Sequence, residues 1–276
     1  MEQIARQFKI ERAFTKWEDV VAVTDLVSIA APTPEHKIIC EAALSAGKNV
    51  LCEKPLALNA RDARAMLGAA EQRKLVHAAN FEMRFLPAFQ YAKELIDEDY
   101  LGEFFRADVT MAMERPWGEH GNWAADDARG GGVLMEVGSH FLDVMRWWFG
   151  NARAVLASRR TNFPNVKTRD EQIKGNGKTA TTLITADDAL WCALQFERGE
   201  ALLNFVTGAR YDPGWTINAY GALGTLVIKS GELLGRRDGD LHLEPLAIPK
   251  RLEQNEKPND PLMWGMVKLF ERVAAK

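Results

Sequence analysis

The chain has 276 residues, with 38 acidic against 35 basic side chains and a net charge of -3 at pH 7. Its hydrophobic share of 47% and charged share of 26% are typical of folded globular proteins and argue against nucleic acid as a partner. No apolar run reaches the roughly 20 residues of a membrane span, and the charged start has no apolar signal-peptide core, so we expect a cytoplasmic protein.

The length favours two domains, each with a core of its own. The three cysteines, Cys40, Cys52 and Cys192, are far apart in the sequence and have no paired metal spacing. Neither a disulfide framework nor a zinc site is therefore indicated. We expect buried free thiols.

The first third of the chain alternates short apolar runs with helical stretches, a pattern typical of βαβ units and a parallel sheet. Near-continuous apolar runs are expected for strands that are buried on both faces. Such runs predict strands at 26–30, 49–52 and 75–79. Together they predict half of a doubly wound α/β domain.

Local signals predict the helices between these strands. Pro34 opens a helix that Gly47 ends, and Asn59 caps the next helix. Ahead of the first strand, Thr15 and Glu18 have the T-x-x-E form of a capping box. A short helix is therefore predicted there, ending before the first strand.

From about residue 84 the pattern changes to a helix followed by long strands with glycine-containing turns. Strand candidates at 189–196, 201–206, 216–220 and 225–229 predict a largely antiparallel meander. The second half is thus predicted to be an α+β domain. Within it, one helix at 133–149 carries Glu136, His140 and Asp143 close to one face.

The phosphate-binding loop of a dinucleotide-binding domain is absent from this sequence. Such a domain normally opens with a strand, a G-x-G-x-x-G turn and a helix whose N-terminus receives the pyrophosphate. The nearest segment, GNGKT at 175–179, lacks the first glycine of a phosphate loop. We interpret it as a surface loop.

Three motifs, in order along the chain, resemble those of one family. APTPEH at 31–36 is followed by AGKNVLCEKP at 46–55, then by GGGVLMEVGSHFLD at 130–143 and YGALGTL at 220–226. Together they closely resemble the glucose-fructose oxidoreductase and inositol dehydrogenase (Gfo/Idh/MocA) family. The resemblance covers nearly the whole chain.

The resemblance implies a partial Rossmann-type dinucleotide-binding domain at 1–83 that lacks its first strands. A substrate-binding and oligomerisation domain with a large, mostly antiparallel open sheet would follow at 84–276. The resemblance also implies NAD or NADP as cofactor, a sugar, polyol or inositol-like alcohol as substrate, and homo-oligomers formed through the second-domain sheet. Because family members extend further at both ends, we expect a chain truncated at both ends.

The family's chemistry carries over to three residues. Oxidation of a secondary alcohol needs a proton acceptor and a donor near the developing alkoxide. By resemblance, Lys54 hydrogen-bonds the reacting hydroxyl and His140 accepts its proton. Glu136 would orient the substrate or the histidine, although the family more often has aspartate there. A solvated loop lysine and a satisfied core histidine are the structural alternatives.

Further contacts follow from the same resemblance. The residues implied to contact the nicotinamide ribose and to shape the crevice at the strand ends are Pro32, His36, Glu53, Lys54 and Pro55. Arg84 and Trp123 are implied as substrate contacts beside Glu136 and His140, and Trp123 could instead serve the core or an interface.

Two rival interpretations remain. The first reads Glu136, His140 and Asp143 as metal ligands. Because no further ligand cluster is visible in the sequence, we predict no metal. Without a metal, Asp143 would cap or brace its helix. The second alternative is a protein of another functional class, a non-catalytic sugar-binding or scaffold protein. The absence of the glycine loop favours it. The joint presence of Lys54 and His140 favours the enzyme.

Overall fold

The computed structural model describes residues 2–114, 123–169, 179–253 and 261–276. The chain divides into two compact units, residues 2–80 with 272–276 and residues 81–271. Most of the GNGKT segment, residues 175–178, lies outside the described residues. Within the described ranges, no helix is both long enough and apolar enough to cross a membrane.

The first unit contains a three-stranded parallel sheet in the order β1-β2-β3. Its elements in chain order are α1 (Glu2–Gln7), α2 (Trp17–Val23), β1 (Leu26–Ile29), α3 (Thr33–Ser45), β2 (Asn49–Glu53), α4 (Ala60–Arg73) and β3 (His77–Asn80). The predicted parallel sheet and its alternation with helices are thus confirmed.

Local capping chemistry sets the helix boundaries in this unit. The Asn59 side chain accepts a hydrogen bond from the Asp62 backbone at 3.0 Å, so α4 begins where predicted. Gly47, with a φ of 74°, follows the end of α3 in the left-handed region that glycine tolerates. The capping box at Thr15 was wrong, because α2 has Lys16 as its N-cap, without a side-chain cap bond.

The second unit is built on an eight-stranded mixed sheet in the order β13-β12-β11-β10-β4-β9-β8-β5, with a separate β6-β7 hairpin. Its strands are β4 (Phe104–Met113), β5 (Ala154–Arg160), β6 (Asn165–Arg169), β7 (Thr179–Leu183), β8 (Ala189–Gln195), β9 (Glu200–Thr207), β10 (Gly214–Gly221), β11 (Gly224–Lys229), β12 (Glu232–Arg237) and β13 (Glu244–Pro245). Its helices are α5 (Pro87–Asp97), α6 (Ser139–Phe149) and α7 (Pro261–Ala274).

The large, mostly antiparallel sheet was predicted, but the simple meander was wrong. Strand β4 lies between β9 and β10, parallel to β9 and antiparallel to β10. Strands β9 and β10 are consecutive in the sequence yet do not pair. Alternation of apolar residues locates strands but does not report which strands become neighbours, because pairing between distant segments leaves no local pattern.

The two faces of this sheet differ in composition. Alternate residues of β9, such as Leu203 and Phe205, are buried in the main core with residues of α5 and α6. The opposite face carries partly exposed residues, because side chains alternate along a strand. Glu82–Phe85, a short 3-10 turn, precedes α5 and lies next to α6. This turn carries Arg84, one of the predicted site residues.

Candidate functional site

In the first unit, polar side chains meet where β2 and β3 end. Glu53 and Asn80 are register partners on the two parallel strands. Asn80 Nδ2 donates a hydrogen bond of 2.6 Å to Glu53 Oε1, and the Lys54 backbone N–H donates one of 3.3 Å to Glu53 Oε2. Asn80 is only 2% exposed, and its buried Oδ1 has no hydrogen-bond partner among the described residues. Lys54 therefore follows a strand end that the Glu53–Asn80 pair fixes.

His36 ties the two loops at this edge of the sheet. It is 1% exposed, with Nε2 2.7 Å from the carbonyl oxygen of Ala31 and Nδ1 3.0 Å from that of Pro55. The ring thus joins the turn after β1 to the turn after β2. Direct contact of His36 with a cofactor stays a prediction, as does that of Pro32, which is the exposed N-cap residue of α3.

In the second unit, the glycine run leads into a π-helical turn. Gly132 has a φ of 105°, and a Cβ on it would lie 2.3 Å from Asp187 Oδ1. Asp187 Oδ2 in turn accepts a hydrogen bond of 2.9 Å from the Leu134 backbone. Burial raises the pKa of Asp187, while this bond opposes the rise. A glycine is required where the Asp187 carboxylate approaches the backbone.

Glu136 lies within this turn, which spans Leu134–Gly138 and runs directly into α6. We predicted one regular helix from residue 133, but its first turn is π-helical. The spacing of apolar residues predicts a helix, but it does not show that one turn contains the extra residue of a π-helix. Single π-helical turns are frequent at functional sites. Glu136 is partly buried, and its role stays a prediction.

His140 is buried in the first turn of α6 and faces a carboxylate that sequence reasoning missed. Its Nε2 lies 3.6 Å from Oε1 of Glu82, and the two residues are 7% and 6% exposed. The Phe81 ring meets the imidazole edge to face, with 6.1 Å between ring centroids. The available signal was a glutamate between two apolar residues, Phe81 and Met83, shortly after a predicted strand.

Arg84 and Asp143 form a two-point ion pair between the 3-10 turn and α6. Arg84 Nε donates to Asp143 Oδ2 at 2.6 Å, and Arg84 Nη2 donates to Oδ1 at 2.5 Å. The Arg84 guanidinium also lies 5.7 Å from the centre of the Trp147 ring. Asp143 braces its helix in this way, and substrate binding by Arg84 stays a prediction.

Trp123 begins a 3-10 turn and packs beside a small cluster that contains Ala124, Ile184 and Ala186. Its ring is partly exposed. Among the described residues, no group of three or more histidine, cysteine, aspartate or glutamate side chains could hold a metal ion. Substrate contact by Trp123 stays a prediction.

Comparison with known proteins agrees with the motifs. Residues 1–81 match the family described as oxidoreductase family, NAD-binding Rossmann fold, and residues 89–227 match the GFO/IDH/MocA C-terminal domain. Glucose-fructose oxidoreductase domain-containing protein 1 from Mus musculus is 30% identical over 289 residues, which cover 99% of this chain and 70% of that protein.

Two further similarities involve levoglucosan dehydrogenase. The enzyme from Pseudarthrobacter phenanthrenivorans is 31% identical over 175 residues, covering 59% of this chain and 43% of that protein. The solved levoglucosan dehydrogenase in complex with NADH and levoglucosan matches with a TM-score of 0.85 at 23% identity, covering 99% of this chain and 77% of that one. This structural match establishes the fold.

The chain therefore belongs to the Gfo/Idh/MocA family of oxidoreductases, whose N-terminal domain is an NAD-binding Rossmann fold. Contact of Glu53, Lys54 and Pro55, at the strand end, with such a cofactor stays a prediction. Open α/β sheets bind ligands at the carboxyl ends of their strands. The buried Asn80 Oδ1, which has no partner in the described part of the chain, offers an acceptor there. Sequence reasoning missed Asn80 because it stands outside the recognised motifs.

Proposed function

We propose that this protein is an NAD(P)-dependent oxidoreductase that transfers hydride between the nicotinamide and a sugar, polyol or inositol-like alcohol. In this proposal, residues 1–83 bind the cofactor and residues 84–276 bind the substrate. Family membership supports the reaction class, and the names of the levoglucosan dehydrogenase relatives support a sugar substrate. When bound, the nicotinamide would accept or return the hydride.

The observation that carries this proposal is the position of Lys54. It directly follows the carboxyl end of the middle strand of the parallel sheet, where Glu53 and Asn80 fix the strand ends. Ligands of open α/β sheets bind at that edge. We assign Lys54 the role of hydrogen-bonding the reacting hydroxyl and stabilising the developing alkoxide.

We assign His140 the role of taking the hydroxyl proton, and Glu136 that of orienting the substrate or His140. Imidazole suits this work because its ordinary pKa lies near neutral pH. Burial of His140 also limits competing exchange with water. Arg84 and Trp123 are assigned to substrate binding, with the Trp123 ring available to stack on a sugar face.

We further propose that the open face of the large sheet joins two copies of the chain. Leu156 and Trp191 lie on that face and are 66% and 47% exposed. Val206, 36% exposed, continues the same face on β9. Exposed apolar patches of this kind mark association surfaces, and a self-complementary patch forms a closed dimer.

The test is a steady-state assay of NAD and NADP reduction with a panel of sugars and polyols that includes levoglucosan. Lys54→Ala and His140→Ala should each lower kcat by at least about 100-fold, the usual contribution of a positioned acid or base, while the circular dichroism spectrum is unchanged. Lys48→Ala is the matched control. Wild-type turnover in both site variants would refute the assignments, and inactivity of the wild type on the whole panel would favour the non-catalytic alternative.

A further inference from the structure

We infer that Glu82 is the positioning carboxylate of His140: it holds the imidazole in one tautomer and stabilises the imidazolium that forms when His140 takes the substrate proton. This inference rests on the proposed function for its catalytic part. Its structural part concerns the protein alone. Neither the motifs nor the family match assigns a role to Glu82.

The buried approach of Glu82 to His140 favours one tautomer of the imidazole. Glu82 Oε1 lies 3.6 Å from His140 Nε2, and both residues are more than nine-tenths buried. Two ionisable groups at this distance and with little access to water interact more strongly than they would at the surface. In the neutral ring, a proton on Nε2 points towards the carboxylate and leaves the lone pair on Nδ1. The opposite tautomer would place two lone pairs against each other.

The backbone that carries Glu82 is held by contacts with two helices, α7 and α6. A Cβ added to Gly265 of α7 would lie 2.2 Å from the backbone oxygen of Glu82. The helix therefore packs directly on the backbone that carries the carboxylate. Two residues further along the chain, the Arg84 pair with Asp143 ties the same 3-10 turn to α6. The turn that carries Glu82 thus packs on α7 and is tied by an ion pair to α6, which carries His140.

Two other carboxylates, Asp143 and Glu136, lie on the same helical segment as His140. On its own helix, Asp143 is neutralised by the two-point pair with Arg84. Glu136 lies on the preceding π-helical turn and is less buried than Glu82. The 3-10 turn packs against α6 within this unit and carries Glu82. The buried carboxylate of Glu82 faces the imidazole Nε2.

Glu82 would act at the moment when His140 takes the hydroxyl proton. In the proposed reaction, the substrate C–H bond would break and a bound oxidised nicotinamide would supply the hydride acceptor, while the hydroxyl proton would pass to Nδ1 of His140 and the carbonyl would form. The ring becomes an imidazolium with Nε2–H directed at Glu82. A carboxylate in this position stabilises the cation and does not itself take the proton, as in hydrolase triads.

The experiment is NMR of the cofactor-free protein with ¹⁵N-labelled histidine, with the His140 signals assigned by their loss in His140→Asn. We expect the neutral ring to carry its proton on Nε2. In Glu82→Gln, the apparent pKa of His140 should fall by about one unit or more, because the anion that favours the imidazolium is gone. Glu98→Gln, an exposed site beyond α5, should leave the titration unchanged.

A His140 ring protonated on Nδ1, or one that titrates identically in Glu82→Gln and wild type, would overturn the inference. The tautomer is read in the wild type, so the test survives a variant that fails to fold. In the active enzyme, Glu82→Gln should lower kcat about tenfold or more with little change in the cofactor KM, and move the acid limb of kcat/KM to lower pH. An inactive wild type would refute the proposed function and leave the NMR result to decide on Glu82.

Discussion

Arg84 donates two parallel hydrogen bonds to Asp143 and so locks the 3-10 turn that carries Glu82 against α6, which carries His140. The Asp143 side chain is 10% exposed, whereas that of Arg84 is 38% exposed. Paired guanidinium and carboxylate groups have this planar, two-point geometry, which lysine cannot reproduce. The pair therefore fixes the position of Glu82 relative to His140.

Arg84→Ala should lower the free energy of unfolding by about 2–3 kcal/mol, because it leaves the buried carboxylate of Asp143 without its partner. The loss should stay below that of a fully buried ion pair, since Arg84 is partly exposed. Urea unfolding measures the change. Arg84→Lys should recover part of the stability. Should Arg84→Ala leave stability intact, the bracing role would be wrong, and a raised substrate KM would then assign Arg84 to substrate binding alone.

His36→Ala should destabilise the first unit by about 1–3 kcal/mol, the cost of a buried acceptor left without a partner, because it removes the ring whose N–H donates between the carbonyl oxygens of Ala31 and Pro55. Thermal unfolding followed by circular dichroism measures it. His77→Ala is the matched control, since His77 is exposed, and it should change stability little. Equal effects of the two substitutions would contradict the linking role of His36.

The cysteines should be inert in the folded protein. Burial raises the pKa of the Cys52 thiol to about 12 and that of Cys40 to about 11, and it also raises the pKa of Cys192. The thiolate is the reactive form. At pH 8, a disulfide reagent should therefore label none of the three until denaturant is added, and rapid labelling of a thiol in the native protein would contradict this expectation.

The same shifts predict a loss of stability at alkaline pH. The folded-state pKa values of Cys40 and Cys52 lie above the ordinary value of 9.0, so the unfolded chain releases these protons first. Their contribution to stability is therefore complete below pH 9 and declines as the pH rises towards 11–12. The thermal midpoint measured across this range should fall.

The open sheet face offers a test of association with a built-in control. Leu156 and Val155 are neighbours on β5 and are both 66% exposed, but they lie on opposite faces of the strand. Leu156→Arg should shift the oligomer to monomer in sedimentation velocity, whereas Val155→Arg should not. A wild-type protein that stays monomeric at high concentration would contradict association through this face.

Sequence reasoning succeeded where the information is local. Asn59 and Gly47 act through the residues beside them, so their helix boundaries were predicted correctly. The wrong capping residue, Thr15 in place of Lys16, shows the limit of reading a cap without its backbone conformation. The parallel sheet followed from continuous apolar runs, which need only the residues of each strand.

The remainder depends on contacts between distant segments. The insertion of β4 between β9 and β10 leaves no periodic signal, because each strand alternates in the same way whatever its neighbour. Lys54 and His140 were predicted as site residues from the family resemblance and not from their spacing in the sequence. Glu82 was missed because its significance depends on His140, far along the chain, and Asn80 because its buried amide becomes informative only beside Glu53.

The most direct test of the central claim is calorimetric titration of NADH and then NADPH into the full-length product of the gene. The account predicts saturable binding of at least one of these cofactors with about one site per chain. Absence of heat with both cofactors, in protein shown to be folded, would contradict the oxidoreductase assignment and favour a non-catalytic sugar-binding or scaffold role.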